Sequence, residues 1–149
     1  MTKSPPISQS LREWLDVFMH QSMRGMNQFA KSMGLSMPQL SILMQLHYKG
    51  TCGLSEISER FDISAAAASQ LAEKLVQSGY LERAEDPKDR RAKNLKLTAN
   101  GIKLVNEGIQ QRNRWSETLV SQLGAEDKAK VSETLEILTK AARELDRKK

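Results

Sequence analysis

Apolar residues recur in steps of three and four from Ile7 to about Met33: Ile7, Leu11, Trp14, Leu15, Phe18, Met23, Met26, Phe29 and Met33. That spacing draws one apolar stripe along a helix, and Gly34 reads as its C-terminal stop. Ser36 reads as the N-cap of a second helix, with Pro38 tolerated in its first turn. This helix passes through Leu40, Leu43, Met44 and Leu46 to Gly50. "KGTCG" reads as a turn. Ser55 is expected to cap a short helix, "EISERF", with Ile57 and Phe61 facing inward. Ser64 is expected to cap the next, in which Ala68, Leu71, Ala72 and Leu75 form the inner stripe and Gly79 is the stop. Two short helices joined by a tight turn make a helix-turn-helix.

The period then changes from helical to two. Tyr80-Leu81 and Leu95-Lys96-Leu97 read as strands, with a turn near Asp86-Pro87. A hairpin after a helix-turn-helix is a winged helix. Thr98 is expected to cap a long helix striped by Leu104, Val105, Ile109, Arg112, Trp115, Leu119 and Leu123. A final helix carries Val131, Leu135, Leu138, Ala142 and Leu145. The expected fold is mainly α: one domain over 1–149, with a winged helix-turn-helix lobe at 37–98 and long helices at 7–33 and 99–147. A winged helix needs only about 70–90 residues, near the small end of independent domains. The spare apolar surface of the terminal helices therefore predicts a two-fold homodimer, with Ile7, Leu11, Trp14, Leu119, Leu123, Leu138 and Leu145 at its interface.

Charge sharpens this picture. The net charge is +5 over 149 residues. Residues 51–100 are balanced, with eight basic and eight acidic side chains. Within 88–103, however, Lys88, Arg90, Arg91, Lys93, Lys96 and Lys103 face only Asp89. A basic run on a wing predicts a polyanion partner, double-stranded DNA. No apolar run approaches the ~18 residues that cross a bilayer. "MTKSPPISQS" has no signal-peptide core, so a cytoplasmic location without membrane contact is expected. The single cysteine, Cys52, fits a reducing compartment.

The segments "LSEISERFDISAAAASQLAEKLVQSGYLER" and "DPKDRRAKNLKLTANG" together resemble the MarR family of bacterial transcriptional regulators, over nearly the whole chain. The run from Asp86 to Gly101 is similar to the family's wing signature, Asp-x-x-Asp-Arg-Arg leading to Leu-Thr-x-x-Gly. The resemblance implies a dimer on pseudo-palindromic operators, of the repressor kind and released by a small aromatic or anionic effector. Some relatives respond instead to cysteine oxidation or metal. Effector pockets in the family lie between the dimer helices and the DNA-binding lobe, where Met23, Met26, Met44 and His47 are candidates; plain core packing is the simpler use of the methionines. The resemblance also implies that Asp89 and Arg91 hold the wing through an ion pair.

Residue chemistry assigns the DNA contacts. Ala65, Ala66, Ser69, Gln70 and Lys74 occupy the outward positions of the recognition helix. Gln70 is the best base reader, because its amide can bond an adenine edge twice. Arg90, nearest the hairpin tip, is suited to a narrow minor groove. Lys88, Arg91, Lys93 and Lys96 complete the wing contacts, and Ser36, Ser55 and Ser64 place helix N-termini where phosphates could dock. The alanine-rich face leaves open an alternative, a winged-helix module for protein interaction or architecture without sequence-specific DNA binding. No phosphate loop or nucleophile motif supports catalysis, and no cofactor is expected. His20, His47 and Cys52 lack metal-ligand spacing. Cys52 has only Lys49 near it in sequence to lower its pKa, which disfavours redox sensing.

Overall fold

In a computed structural model of the chain, the described residues are 6–85 and 93–147. They form six helices and three strands: α1 (Ile7–Ser32), α2 (Met37–Lys49), β1 (Thr51–Gly53), α3 (Leu54–Phe61), α4 (Ala65–Gln77), β2 (Leu81–Glu85), β3 (Lys93–Leu97), α5 (Ala99–Ser121) and α6 (Ala125–Asp146). The strands make an antiparallel sheet in the order β1-β3-β2. The fold is thus mainly helical and of the winged-helix kind, as the hydrophobic periodicity predicts.

The local causes are visible at the element ends. At the start of α2, Ser36 Oγ accepts the Gln39 N–H at 3.4 Å, while Gln39 Oε1 accepts the Ser36 N–H at 2.9 Å. This reciprocal capping box fixes the first turn, where Pro38 needs no donor. The end of α4 depends on Gly79, whose φ of 74° suits a residue without a Cβ. Its N–H reaches Val76 O at 2.9 Å, and the Tyr80 N–H reaches Leu75 O at 3.0 Å, so the last carbonyls are satisfied.

Thr98 then joins this turn to α5. Its N–H bonds Tyr80 O at 3.1 Å, its hydroxyl donates to Gly79 O at 2.6 Å, and its Oγ1 accepts the Gly101 N–H at 3.0 Å. Gly101 is required by proximity: a Cβ there would fall far inside the 3.0 Å limit to the Tyr80 carbonyl oxygen. The Leu-Thr-x-x-Gly run is therefore a joint between the end of the recognition helix and the start of α5.

Two expectations are corrected. The "KGTCG" segment is not only a turn. Residues 51–53 pair with β3, Thr51 opposite Lys96 and Cys52 opposite Leu95, because β3 offers a free edge. Ser55 does not cap α3, which begins one residue earlier. The Glu56 carboxylate accepts the Gly53 N–H at 3.2 Å, so that donor is satisfied without a hydroxyl at the cap.

The chain divides into two compact units, 1–113 and 114–149. The first holds the core: Leu40, Ile42, Leu43 and Leu46 of α2 are essentially fully buried, as are Ile57, Leu75 and Val105. Met26, Met33, Met37 and Met44 pack against it. Burying such side chains stabilises by roughly 1.5–3 kcal/mol each. Gln45 is an exception within that core: it is buried, and among the described residues neither its Oε1 nor its Nε2 has a hydrogen-bond partner. In the second unit, α6 buries none of its 22 residues.

Candidate nucleic-acid interface

The site is built on α3 and α4. Ile57 of α3 and Ala68, Ala72 and Leu75 of α4 are buried, which turns the opposite face of α4 outward. The turn between them is made by Asp62, at φ 50° and ψ 49°. This is the left-handed region, which a short polar side chain tolerates better than most. The Ile63 N–H closes the turn on Ser58 O at 3.0 Å. Ser64 caps α4 as its sequence predicts, its Oγ accepting the Ala67 N–H at 3.1 Å. The entry of the recognition helix is therefore fixed by a cap on one side and buried alanines on the other.

Ala65, Ala66, Ser69, Gln70 and Lys74 are all exposed on α4. Small buried residues at 68 and 72 allow close packing, and the same side of the helix carries Leu75 inward. Ala66, Ser69, Gln70 and Lys74 thus fall on the side away from that stripe by helical geometry, while Ala65, at the flank of the stripe, is exposed as the first residue of the helix.

The wing is tied to this helix by a pair that sequence spacing does not reveal. Arg83 of β2 donates from Nη2 to Glu73 Oε2 of α4 at 2.7 Å. Across the sheet, Lys96 Nζ meets Glu82 Oε1 at 2.9 Å, as the register that sets Glu82 opposite Lys96 allows. Behind α3, Lys49 Nζ meets Glu56 Oε1 at 2.9 Å. That hydrogen bond, then the one from the Gly53 N–H, holds the Glu56 carboxyl below its usual pKa. All three pairs are near half exposed, so each adds at most about 1 kcal/mol and acts mainly on orientation. The ten-residue separation of Glu73 and Arg83 hides their pairing in the sequence; only the hairpin's return beside α4 reveals it.

Of the wing candidates, Lys88, Arg90 and Arg91 lie outside the described residues, as does Asp89. Lys93 opens β3. Lys96 keeps an exposed side chain beside Glu82. Among the serines, Ser36 and Ser64 sit at helix starts, whereas Ser55 lies inside α3, where its carbonyl accepts the Ser58 hydroxyl at 2.8 Å.

The remaining candidates scatter. Ile7 is 79% exposed and Leu145 67%. Trp14 is also exposed; Leu11, Leu119 and Leu138 are partly covered. Leu123 falls in the turn after α5 rather than on the helix, which ends at Ser121. Met26 and Met44 pack on the core, while Met23 is exposed. His47 lies edge-on to Tyr48, ring centroids 5.3 Å apart. A cleft of about 420 Å³ in the first unit is lined instead by Met33, Leu35, Gln39, Lys74, Gln77 and Tyr80, among others, and by none of the four effector candidates.

Cys52 is buried in β1, and burial, followed by the nearby Glu56 charge, pushes its thiol up to about 11. Such a thiol is the opposite of a reactive thiolate. Among the described residues, no group of three or more His, Cys, Asp or Glu side chains is placed to hold a metal ion. No helix among them is long and apolar enough to cross a membrane.

The profile of the MarR family matches residues 35–93. The uncharacterized HTH-type transcriptional regulator YfiV of Bacillus subtilis is 32% identical over 107 residues, covering 72% of this chain and 67% of that protein. The crystal structure of the transcriptional regulator Tm0710 from Thermotoga maritima superposes with a TM-score of 0.85 at 26% identity, over 95% of this chain and 99% of that one. The MepR–DNA complex of S. aureus shares the fold, with a TM-score of 0.65 at 24% identity, over 85% of this chain and 96% of that one.

Proposed function

The chain belongs to the MarR family of helix-turn-helix transcriptional regulators, DNA-binding proteins rather than enzymes, and on that premise we propose how it binds and how it is controlled. In our reading it is a cytoplasmic homodimer that represses transcription from a pseudo-palindromic operator. The observation that carries the DNA-binding geometry is the capped start of α4. The outward face of its first turns is open to solvent, and its inward face is locked on the core. Ala65, Ala66, Ser69 and Gln70 enter the major groove, and Lys74 stands further along the same face. Arg90 of the wing enters the minor groove, while Lys88, Arg91, Lys93 and Lys96 reach phosphates. Ser36 and Ser64 mark N-termini that can meet phosphate oxygens; Ser55, inside α3, contributes through the same first turn.

The lobe at 37–98 reads DNA and the helices at 7–33 and 99–147 hold two copies together. Support for the dimer comes from α6, in which no residue is fully buried within its own chain and Val131, Leu135, Ile137 and Leu145 stay exposed. A helix left without a buried face belongs against a partner. Release by a small aromatic or anionic effector would act by favouring one spacing of the two recognition helices over another.

The test is a titration of fluorescent duplexes carrying the DNA upstream of the chain's own gene, at several salt concentrations. Sequence-selective binding should weaken steeply with salt, by about one released ion per phosphate contact. Salt-insensitive or unselective binding would refute the operator reading and favour a module for protein interaction. Sedimentation at micromolar concentration should give a dimer; a monomer would remove the two-fold arrangement.

A further inference from the structure

The groove-facing surface of α4 has a chemical character that family membership does not dictate. Over its first nine residues, Ala65–Glu73, the helix carries no ammonium or guanidinium group. The exposed side chains in that stretch are Ala65, Ala66, Ser69 and Gln70. Its single charge, Glu73, is held by Arg83 at 2.7 Å. The first cation, Lys74, comes only in the third turn, on the half of the helix farther from its N-terminus.

Each base edge asks for something different in the major groove. Guanine presents two acceptors, N7 and O6, and is read best by a bidentate Arg or Lys, which this stretch lacks. Cytosine presents a donor that a carboxylate reads, and the one carboxylate here is already paired. Adenine presents an acceptor and a donor, which match the Gln70 amide. Thymine presents a C5-methyl, the one feature in the groove that an alanine methyl can meet without leaving a polar group unpaired. Ala65 and Ala66 are the first two residues of the helix, and the Ser64 cap fixes where their methyls point.

Resting on the operator reading above, we propose that α4 selects a half-site core of A·T pairs, in which Ala65 and Ala66 pack on thymine methyls and Gln70 bonds an adenine edge. Specificity then comes from methyl contact and one amide, with guanine disfavoured because its two acceptors meet no bidentate Arg or Lys on this stretch.

The experiment uses the full chain. Duplexes are first enriched from a random pool. The best duplex is then remade with each thymine of the core replaced by deoxyuridine, which lacks only the 5-methyl. The expected enrichment is A·T at the core positions, and each lost methyl that α4 covers should weaken binding by about three- to fivefold. Ala65→Gly/Ala66→Gly should bind thymine and deoxyuridine duplexes alike. The deoxyuridine arm needs no altered protein, so it does not depend on the variant folding. Guanine enriched at the core, equal affinity for the deoxyuridine duplexes, or full discrimination retained by the double variant would each overturn the assignment while leaving the operator reading intact. Absence of any enrichment would overturn both.

Discussion

Gly101→Ala isolates the joint that links the recognition helix to α5. At an unhindered helical position, replacing glycine by alanine stabilises by roughly 0.5–1 kcal/mol. At 101 the new methyl meets the Tyr80 carbonyl oxygen well inside the 3.0 Å limit and Leu97 Cδ2 at 3.1 Å. The carbonyl is backbone and cannot rotate away, so it must retreat by roughly 1 Å. That motion pulls on the Thr98 N–H bond to Tyr80 O, 3.1 Å, and on the Thr98 hydroxyl bond to Gly79 O, 2.6 Å. Two hydrogen bonds at about 1 kcal/mol each, with about 1–3 kcal/mol of overpacking, outweigh the helical gain. The net expected loss is roughly 2–4 kcal/mol, or on the order of 5–15 °C in Tm for a chain of this size. Gly25→Ala is the control. It makes the same change within α1, where the methyl would meet only Gln111 O, at an ordinary 3.8 Å. Chemical denaturation should show Gly25→Ala neutral or stabilised and Gly101→Ala strongly destabilised. If the two variants shift by the same amount, the close approach at Tyr80 is not what demands glycine.

Other outcomes follow from single sites. Gln45→Met should raise stability by about 1–3 kcal/mol, since it replaces a buried amide with no partner by an apolar chain of similar length; a loss in urea titration would mean the amide is satisfied. With its folded thiol at about 11 against an ordinary 9.0, Cys52 ionises first in the unfolded chain. Its contribution to stability is therefore complete below about pH 9 and lost as pH rises toward 11. Alkylation of the native protein at pH 8 should accordingly be no faster than unfolding, and rapid labelling would refute its burial. Gln70→Ala should relax sequence preference with little change in salt slope. Arg90→Ala should weaken specific and nonspecific binding alike, and competition assays against random DNA separate the two.

Much of this architecture is legible in the sequence because its causes are local. The stripe of Ala68, Ala72 and Leu75, the Ser64 cap and the Gly79 stop all act within one turn of themselves. The features that stay hidden are those whose partner arrives from elsewhere. Residues 51–53 become a strand only because β3, some forty residues on, offers an edge. Ser55 has the character of a cap until the Glu56 carboxylate is seen on the Gly53 N–H. Arg83 carries no sequence signal of a partner, because Glu73 reaches it only once β2 returns beside α4. Gln45 follows helical spacing into the core, yet nothing in its neighbours in sequence announces an unpaired amide. The outward face of α4 is readable for the same reason as the caps: which side faces solvent follows from which side carries the stripe of Ala68, Ala72 and Leu75.

The bareness of α6 has a thermodynamic consequence. A 22-residue helix with no fully buried residue draws little from packing within its own chain, and most helical stability in proteins comes from such packing of an amphipathic face. Under the proposed dimer, its order is supplied by association, so stability becomes a property of concentration as well as of sequence. The melting temperature should climb as the protein is concentrated, and a cell would set how much ordered regulator it holds partly by how many copies it makes.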